Sequence, residues 1–464
     1  MRTAINNVIN NDPRGQGTRS RARPGGRRRT SEIGLKVAVV GAGSTYTPEL
    51  VEGFARRIDR LPVDELALLD PDLGRLEIVA ALTRRMLGRV GWPARVSATD
   101  DRDAALDGAD FVVIQLRVGG QEARHVDETL PHRFGILGQE TTGPGGFAKA
   151  LRTVPIVLEI AEETARRAAP GAWIVDFTNP VGIVTQALLD SGARALGLCN
   201  VAIGLQRRLA AHFGVEPERV ALEHVGLNHL SWERAVAVDG VDRLQELIDG
   251  EPGWVADEVG LPVELIRELR AIPSYYLRYY YCRDEVLKDQ LTGRSRAEDV
   301  MEIERRLLEM YRDPKLDEKP KLLEERGGAF YSEAAAQLIA SLHSDTGDVQ
   351  VVNVRNGGAL PDLPADAVVE IPARIDRAGA HPLPLASLQP ELRGLVQAVK
   401  AYEDLAVAAA IHGDRATAEK ALLAHPLVGR FSVARPLLAA LLEANRAYLP
   451  RFFEPVTREV ADAV

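Results

Sequence analysis

The chain has 464 residues, of which 46% are hydrophobic and two are cysteines, and a formal charge of −9. That composition suits a globular protein of two or three domains and excludes a disulfide framework. No apolar run reaches the roughly 18 residues that span a bilayer, so a cytoplasmic protein without membrane contact is expected. Residues 1–34 hold eight arginines against Asp12 and Glu32, and this local +6 leaves −15 of the −9 total on the remainder. An acidic body makes nucleic acid a poor partner for the folded part. The segment 1–34, nearly devoid of apolar residues, is expected to be a disordered basic arm.

From Leu35 the pattern alternates. Leu35 to Val40 is a continuous apolar strand, and Gly41-Ala42-Gly43 is a tight turn after it. Thr47-Pro48-Glu49 reads as a helix start with Thr47 as N-cap. Strands are expected at Glu65 to Asp70, Arg95 to Ala98, Asp110 to Leu116, Ala172 to Phe177 and Ala195 to Cys199. Helices are expected at Leu73 to Leu87, Gly119 to Phe134, Ala148 to Ala168 and Val181 to Asp190. Strands separated by helices predict an α/β, Rossmann-type doubly wound parallel sheet over residues 35–200. After Val201 the pattern becomes α+β. Strands Val220 to Val225 and Ser231 to Val238 lie close enough to pair antiparallel. Helices are expected at Pro262 to Ala271, Glu298 to Tyr311 and Ser332 to His343. Two more strands, Val349 to Val354 and Ala367 to Ile371, precede a helical tail with breaks at Pro426 and Pro436. The second domain is therefore 201–464, expected to carry substrate, metal and oligomer contacts.

Gly41 and Gly43, followed by Ser44 and Thr45, follow a strand and precede a helix, the context a pyrophosphate-cradling turn needs. Asp70 ends the next strand, where an acid can accept from a ribose hydroxyl and disfavour a 2′-phosphate. Gly135 to Phe147 carries five glycines in thirteen residues, and its polar stretch Gln139 to Thr142 can line a sugar pocket or simply form a surface loop. Asn179, after the strand ending at Phe177, can meet a sugar hydroxyl or close its own turn. Cys199 is a metal ligand only if His229 joins it; a lone buried cysteine is more often core filler. His224, at an odd offset in the same strand, should face the other way. Residues 275–281 hold five of the ten tyrosines, and on a helix Tyr276 and Tyr280 would share a face. Such a stripe suits a core or an interface, or supplies a base if a cation lowers a phenol pKa. Arg294 and Arg296 offer guanidinium groups for a phosphate.

These motifs, in this order, resemble glycoside hydrolase family 4, the NAD- and metal-dependent glycosidases, and within it those acting on 6-phospho-β-glucosides. The resemblance runs from about Lys36 to about Leu427. It rests on Gly41 to Leu50, Gln115 to Gly120, Gly138 to Phe147, Thr178-Asn179-Pro180, Gly197 to Asn200, Gly226 to His229 and Tyr276 to Tyr280. It implies NAD and Mn²⁺ or another divalent metal as cofactors, Cys199 and His229 as metal ligands, and Tyr276 as catalytic base. Arg296, with Arg117 as a second candidate, would meet the 6-phosphate. Asn200 after the cysteine matches members acting on 6-phospho-β-glucosides, where others carry Asp or His.

The mechanism implied is oxidation at sugar carbon 3, proton abstraction at carbon 2, elimination of the aglycone, addition of water and return of the hydride, unlike hydrolysis by two carboxylates. A phosphorylated sugar substrate and a homo-dimer or homo-tetramer follow from the same resemblance. The competing readings are a relative acting on α- or unphosphorylated glycosides, a lactate/malate-type dehydrogenase with net redox chemistry, and an inactive NAD-binding sensor.

Overall fold

The computed structural model describes residues 34–327 and 330–453. The expected basic arm therefore lies, but for Gly34, outside the described residues. Six strands, β1 (Leu35–Val40), β2 (Val63–Leu69), β3 (Arg95–Thr99), β4 (Phe111–Ile114), β5 (Trp173–Asp176) and β6 (Ala195–Gly197), pair in parallel in the order β3-β2-β1-β4-β5-β6. This is the doubly wound dinucleotide-fold order, and the chain reverses direction across the sheet between β1 and β4. All four residues of β4 are buried. Helices cover both faces, which is why these strands read as unbroken apolar runs.

The later strands divide between two sheets. β7 (Val220–Leu227) and β8 (Leu230–Val238) form an antiparallel hairpin, joined at its edge by β9 (Val241–Asp242) and β10 (Ile272–Pro273). β11 (Val349–Arg355), β12 (Val368–Asp376) and β13 (Gly379–Pro382) instead extend the first sheet beyond β6, through the antiparallel pairing of Asn353 with Gly197. Among the described residues that sheet has nine strands. The described chain from Gly34 is one compact unit by contact, so position 200 marks where parallel order ends and not a gap between two bodies.

Several local expectations change. The glycine-rich loop is shorter than expected, because the helix before β5 begins at Gly143 and runs to Arg167. Its first turn packs against the main chain: a Cβ on Gly145 would lie 2.3 Å from the Gln139 carbonyl oxygen, and one on Gly146 would lie 2.4 Å from the Thr141 carbonyl carbon. Thr47 is inside its helix, not capping it; its hydroxyl donates to the Ala42 carbonyl at 2.8 Å and brings the helix against the glycine turn. A helix unforeseen in sequence, Val201–Phe213, follows β6 directly, and Pro436 sits inside a helix, Phe431–Ala444, instead of ending it. The tyrosine run is no regular helix. It passes from β10 through a 3₁₀ turn (Tyr275–Leu277) to one α-turn (Arg278–Tyr281). Tyr276 and Tyr280 therefore part company, Tyr276 packing on His229 and Tyr280 toward His425.

Candidate active site

One cavity of about 950 Å³ opens along the carboxyl edge of the parallel sheet, where the strand order reverses. Gly41, Gly43, Ser44, Asp70, Arg117, Asn179, Asn200, Tyr276 and Arg296 all contribute to its lining. Residues 255 positions apart in sequence thus share one surface. Thr45 does not. Its side chain is buried and its carbonyl accepts from the Tyr311 hydroxyl at 2.7 Å, so it braces the turn from behind.

At the turn, the backbone does the shaping. Gly41 has φ +85°, and a Cβ there would lie 2.8 Å from the Leu116 Cα. A Cβ on Gly43 would meet the Asp70 carboxylate at 2.8 Å. Asp70 accepts from Gly43 N–H and Asp72 N–H, both at 2.9 Å, and burial nevertheless lifts its carboxyl above the usual range. The helix Thr47–Ala55 that follows has no side-chain cap. Pro48 lacks an N–H, and those of Thr47 and Glu49 donate to the Ser44 and Tyr46 carbonyls at 3.1 and 3.0 Å, so the helix offers an anion the positive end of its dipole. A dinucleotide fits this cradle.

The other end is built from side chains. His229 occupies the two-residue tip of the β7–β8 hairpin with φ +62°, a left-handed conformation uncommon outside glycine. Its ring stacks on Tyr276 with centroids 3.6 Å apart. Thr141 lies 2.9 Å from Nδ1, and the same hydroxyl donates its hydrogen to Gln139 Oε1 at 2.8 Å. Thr141 Oγ1 therefore accepts from Nδ1–H, which leaves the lone pair on Nε2. That Nε2 is buried and has no hydrogen-bond partner. Burial lowers the His229 pKa to about 4, so the ring is neutral. A neutral imidazole with one fixed N–H and one orphaned nitrogen is prepared for a metal.

Cys199, just past β6, is buried and unpaired with any other cysteine. Burial and the charge of Glu370 push its thiol well up, against hydrogen bonds from Val201 N–H and the Asn228 and Tyr331 side chains. Only a strong local cation makes it a thiolate. Among the described residues no cluster of three or more His, Cys, Asp or Glu is arranged for a metal. A cation held by Cys199 and His229 would thus keep open positions, as a catalytic site requires and a structural one does not. Burial, followed by the neighbouring Tyr275, Tyr331 and Cys199, also raises the Tyr276 phenol well above its ordinary value. The protein alone does not supply the lowered phenol that the sequence suggested.

The sequence missed much of the surrounding charge. Glu140 takes Arg117, Lys149 Nζ at 2.8 Å and Arg124 Nη2 at 3.3 Å, and all four line the cavity. Those cations hold the Glu140 carboxyl far below its usual range despite burial. Burial, with Arg117 next, brings Lys149 down to about 7. Glu140 was legible as part of a polar loop; Lys149, inside a helix, gave no signal. Tyr331, which lines the cavity and whose ring meets Tyr46 and Phe177 edge-on, gave none either. Arg296 stands in the first turn of the helix Arg296–Tyr311, which Ser295 and Glu298 close as a capping box. Its Nη2 donates to the Glu325 carbonyl at 2.6 Å, while Arg294 is exposed toward Asp299 and outside the lining. Asn179 Oδ1 is buried in the lining without a partner. His224 has no nitrogen left for a ligand: Nδ1 meets Glu233 at 2.7 Å and Nε2 meets Glu370 at 3.0 Å.

A dinucleotide fold whose pocket carries Arg117, Arg124 and Lys149 around Glu140, with His229 stacked on the lining residue Tyr276, defines a class, that of NAD-type folds adapted to an enzymatic site. Comparison with known proteins gives the family. Residues 36–215 match the family 4 glycosyl hydrolases and residues 224–428 match the family 4 glycosyl hydrolase C-terminal domain. The chain belongs to family 4 of the glycoside hydrolases and is an enzyme of that class. It is 43% identical over 438 residues to a probable 6-phospho-beta-glucosidase of Bacillus subtilis, covering 91% of this chain and 99% of that protein. It is similar to the structure of the Thermotoga maritima 6-phospho-beta-glucosidase with manganese, NAD+ and glucose-6-phosphate, with TM-score 0.83 and 37% identity over 89% of this chain and 99% of that one. A malate dehydrogenase of Cryptosporidium parvum shares the fold at TM-score 0.51 and 16% identity, covering 82% and 99% of the two chains.

Proposed function

We propose that this enzyme hydrolyses 6-phospho-β-glucosides to glucose 6-phosphate and an alcohol, with NAD⁺ and a divalent cation such as Mn²⁺ as cofactors. The observation that carries the reading is the buried, partnerless Nε2 of His229, whose ring stacks on Tyr276, a residue that lines the same cavity as the Gly41–Gly43 turn. The relatives named for this activity support the substrate class. Bound here, a nicotinamide supplies a reversible hydride acceptor, and a divalent cation supplies charge withdrawal beside the sugar ring.

Cys199 and His229 hold the cation, and Asp70 and the glycine turn hold the dinucleotide. Tyr276 Oη would take the proton from carbon 2 of the sugar only as a phenolate, its own proton given up to solvent once a bound cation offsets the burial that raises it, and would return the carbon 2 proton after water has added. Arg296, Arg117 and Arg124 provide the cationic surface for the 6-phosphate, and Asn179 and Asn200 orient the ring hydroxyls. Glu140 fixes the guanidinium and ammonium groups around the phenol. A hydride lent to a bound nicotinamide and recovered in the same turnover would make the net reaction hydrolysis without net redox.

The test is nitrophenol release from nitrophenyl 6-phospho-β-glucoside against its α and unphosphorylated counterparts, with NAD⁺ and Mn²⁺ present or withheld. Release from the 6-phospho-β compound alone, dependent on both additions, is expected. Preference for another glycoside shifts the substrate. Stoichiometric NADH formation on a hydroxy acid without metal replaces the reading by a dehydrogenase.

A further inference from the structure

On either side of Glu140 in sequence, Gln139 and Thr141 make a set of contacts of their own, and these reach the His229 ring. Gln139 Oε1 lies 2.5 Å from Thr141 N, 2.7 Å from Thr142 N and 2.8 Å from Thr141 Oγ1. Two backbone N–H groups aimed at one atom make it the amide oxygen, because an NH₂ group there would meet them donor to donor. Thr141 Oγ1 stands between that oxygen and His229 Nδ1, at 2.8 and 2.9 Å. A hydroxyl has a single hydrogen to give. Given to the ring, it would leave the Thr141 and Gln139 oxygens 2.8 Å apart with no hydrogen between them. Given to Gln139, it leaves a lone pair facing Nδ1, which must then bring the hydrogen itself. Main-chain N–H groups, which cannot reverse, thus dictate the polarity from amide to hydroxyl to ring.

Packing holds this short chain of groups in place. Gly138, just before it, donates its N–H to Gln290 Oε1 at 3.0 Å and accepts from Gln290 Nε2 at 2.7 Å. After it, the helix Gly143–Arg167 begins so close that a Cβ on Gly145 or Gly146 would strike the Gln139 or Thr141 carbonyl group. Stacking on Tyr276, 11° from parallel, sets the plane of the His229 ring. A plane alone lets the ring turn over and lets its hydrogen sit on either nitrogen. The Thr141 contact removes both freedoms.

A hydrogen bond from the far nitrogen of a ligating imidazole, fixing its tautomer and aim, is a recurrent device of metal sites. We propose that Thr141, polarised by Gln139, is a positioning residue that holds hydrogen on His229 Nδ1 and keeps the orphaned Nε2 open as a metal-binding nitrogen before any metal arrives. The inference rests on the reading of Cys199 and His229 as a metal pair.

The experiment takes two readouts on the full-length protein. Two-bond ¹H–¹⁵N spectra of the metal-stripped, histidine-labelled enzyme report which ring nitrogen carries hydrogen, with the His229 signals assigned by their loss in His229→Gln. Mn²⁺ titration, with free Mn²⁺ read by electron paramagnetic resonance, reports whether the other nitrogen binds, and NAD⁺ binding is followed in parallel by fluorescence. Hydrogen on Nδ1 and saturable Mn²⁺ uptake are expected of the wild type. Thr141→Val, which keeps the shape and drops the oxygen, should move hydrogen toward Nε2 and weaken Mn²⁺ roughly 10- to 100-fold with NAD⁺ affinity unchanged. Thr141→Ser should keep both wild-type properties. Hydrogen on Nε2 in the wild type, or a wild-type spectrum and Mn²⁺ affinity in Thr141→Val, overturns the proposal while the metal pair stands. An equal loss in Thr141→Ser also overturns it, by assigning the effect to the methyl group. No Mn²⁺ uptake by a wild type with hydrogen on Nδ1 removes the metal pair and with it the role given to Thr141. If Thr141→Val does not fold, Thr141→Ala is read in its place.

Discussion

The two ends of the cavity are made in different ways. At the dinucleotide end the main chain forms the surface, with Gly41 and Gly43 stripped of side chains so that strand and helix can close on each other. At the other end side chains form the surface: Glu140, paired with Lys149, and Tyr276 line the cavity, with His229 stacked behind Tyr276. The first end tolerates no added atom, and the second tolerates no lost partner. A backbone cradle is specified by what is missing, whereas a reaction centre is specified by charges that must be satisfied together.

That contrast can be broken from either side. Cys199→Ser should cause the largest change, a loss of metal-dependent turnover of about 10³-fold or more with NAD⁺ binding retained; wild-type-like turnover would remove the sulfur from the chemistry. Tyr276→Phe should lower kcat by about 10²- to 10⁴-fold, the range of general base catalysis, with KM little changed. A fall in NAD⁺ affinity instead would show that the phenol shapes the cradle. Gly41→Ala tests the opposite end. With φ +85° and the Leu116 Cα 2.8 Å from the new Cβ, the strain of about 1–3 kcal/mol should weaken NAD⁺ roughly tenfold or more and leave Mn²⁺ uptake intact. Equal losses of both ligands would mean that the ends are coupled.

The smallest effect concerns His425, buried under Tyr402 and Tyr280. Burial lowers its pKa from 6.5 to about 3, so the unfolded chain binds this proton more readily than the fold does. The stability that the neutral ring contributes is complete above about pH 6.5 and is lost as the pH falls toward 3. His425→Gln, whose amide oxygen can still accept Leu427 N–H, should flatten that acid-side decline in urea midpoints measured across pH. An unchanged slope would assign the decline to other groups.

The legibility of the molecule follows the same divide. Leu35–Val40 and Val181–Asp190 were readable to the residue because apolar runs and helical periodicity are local signals. The glycine turn was readable because strand, glycines and helix are adjacent in sequence. Of the proposed reaction centre, Cys199, His229 and Tyr276 came from ordered motifs resembling a family, not from any local pattern. Lys149 and Tyr331 lie in or at the start of helices whose periodicity concerns packing, and their chemistry exists only once distant segments fold over them. Tyr276 misled for the same reason: helical spacing pairs it with Tyr280, but the segment folds as a 3₁₀ turn that delivers it to His229.

The pairing of Asn353 on β11 with Gly197 on β6 has a mechanical consequence. It welds the C-terminal half of the chain to the strand that delivers Cys199, so the two halves share a continuous hydrogen-bonded plate. A cleft between independent lobes can shut by swinging about a hinge; a pocket seated on such a plate cannot. The spacing between the Gly41–Gly43 turn on β1 and Cys199 after β6 is therefore set by one sheet at folding, before any ligand arrives.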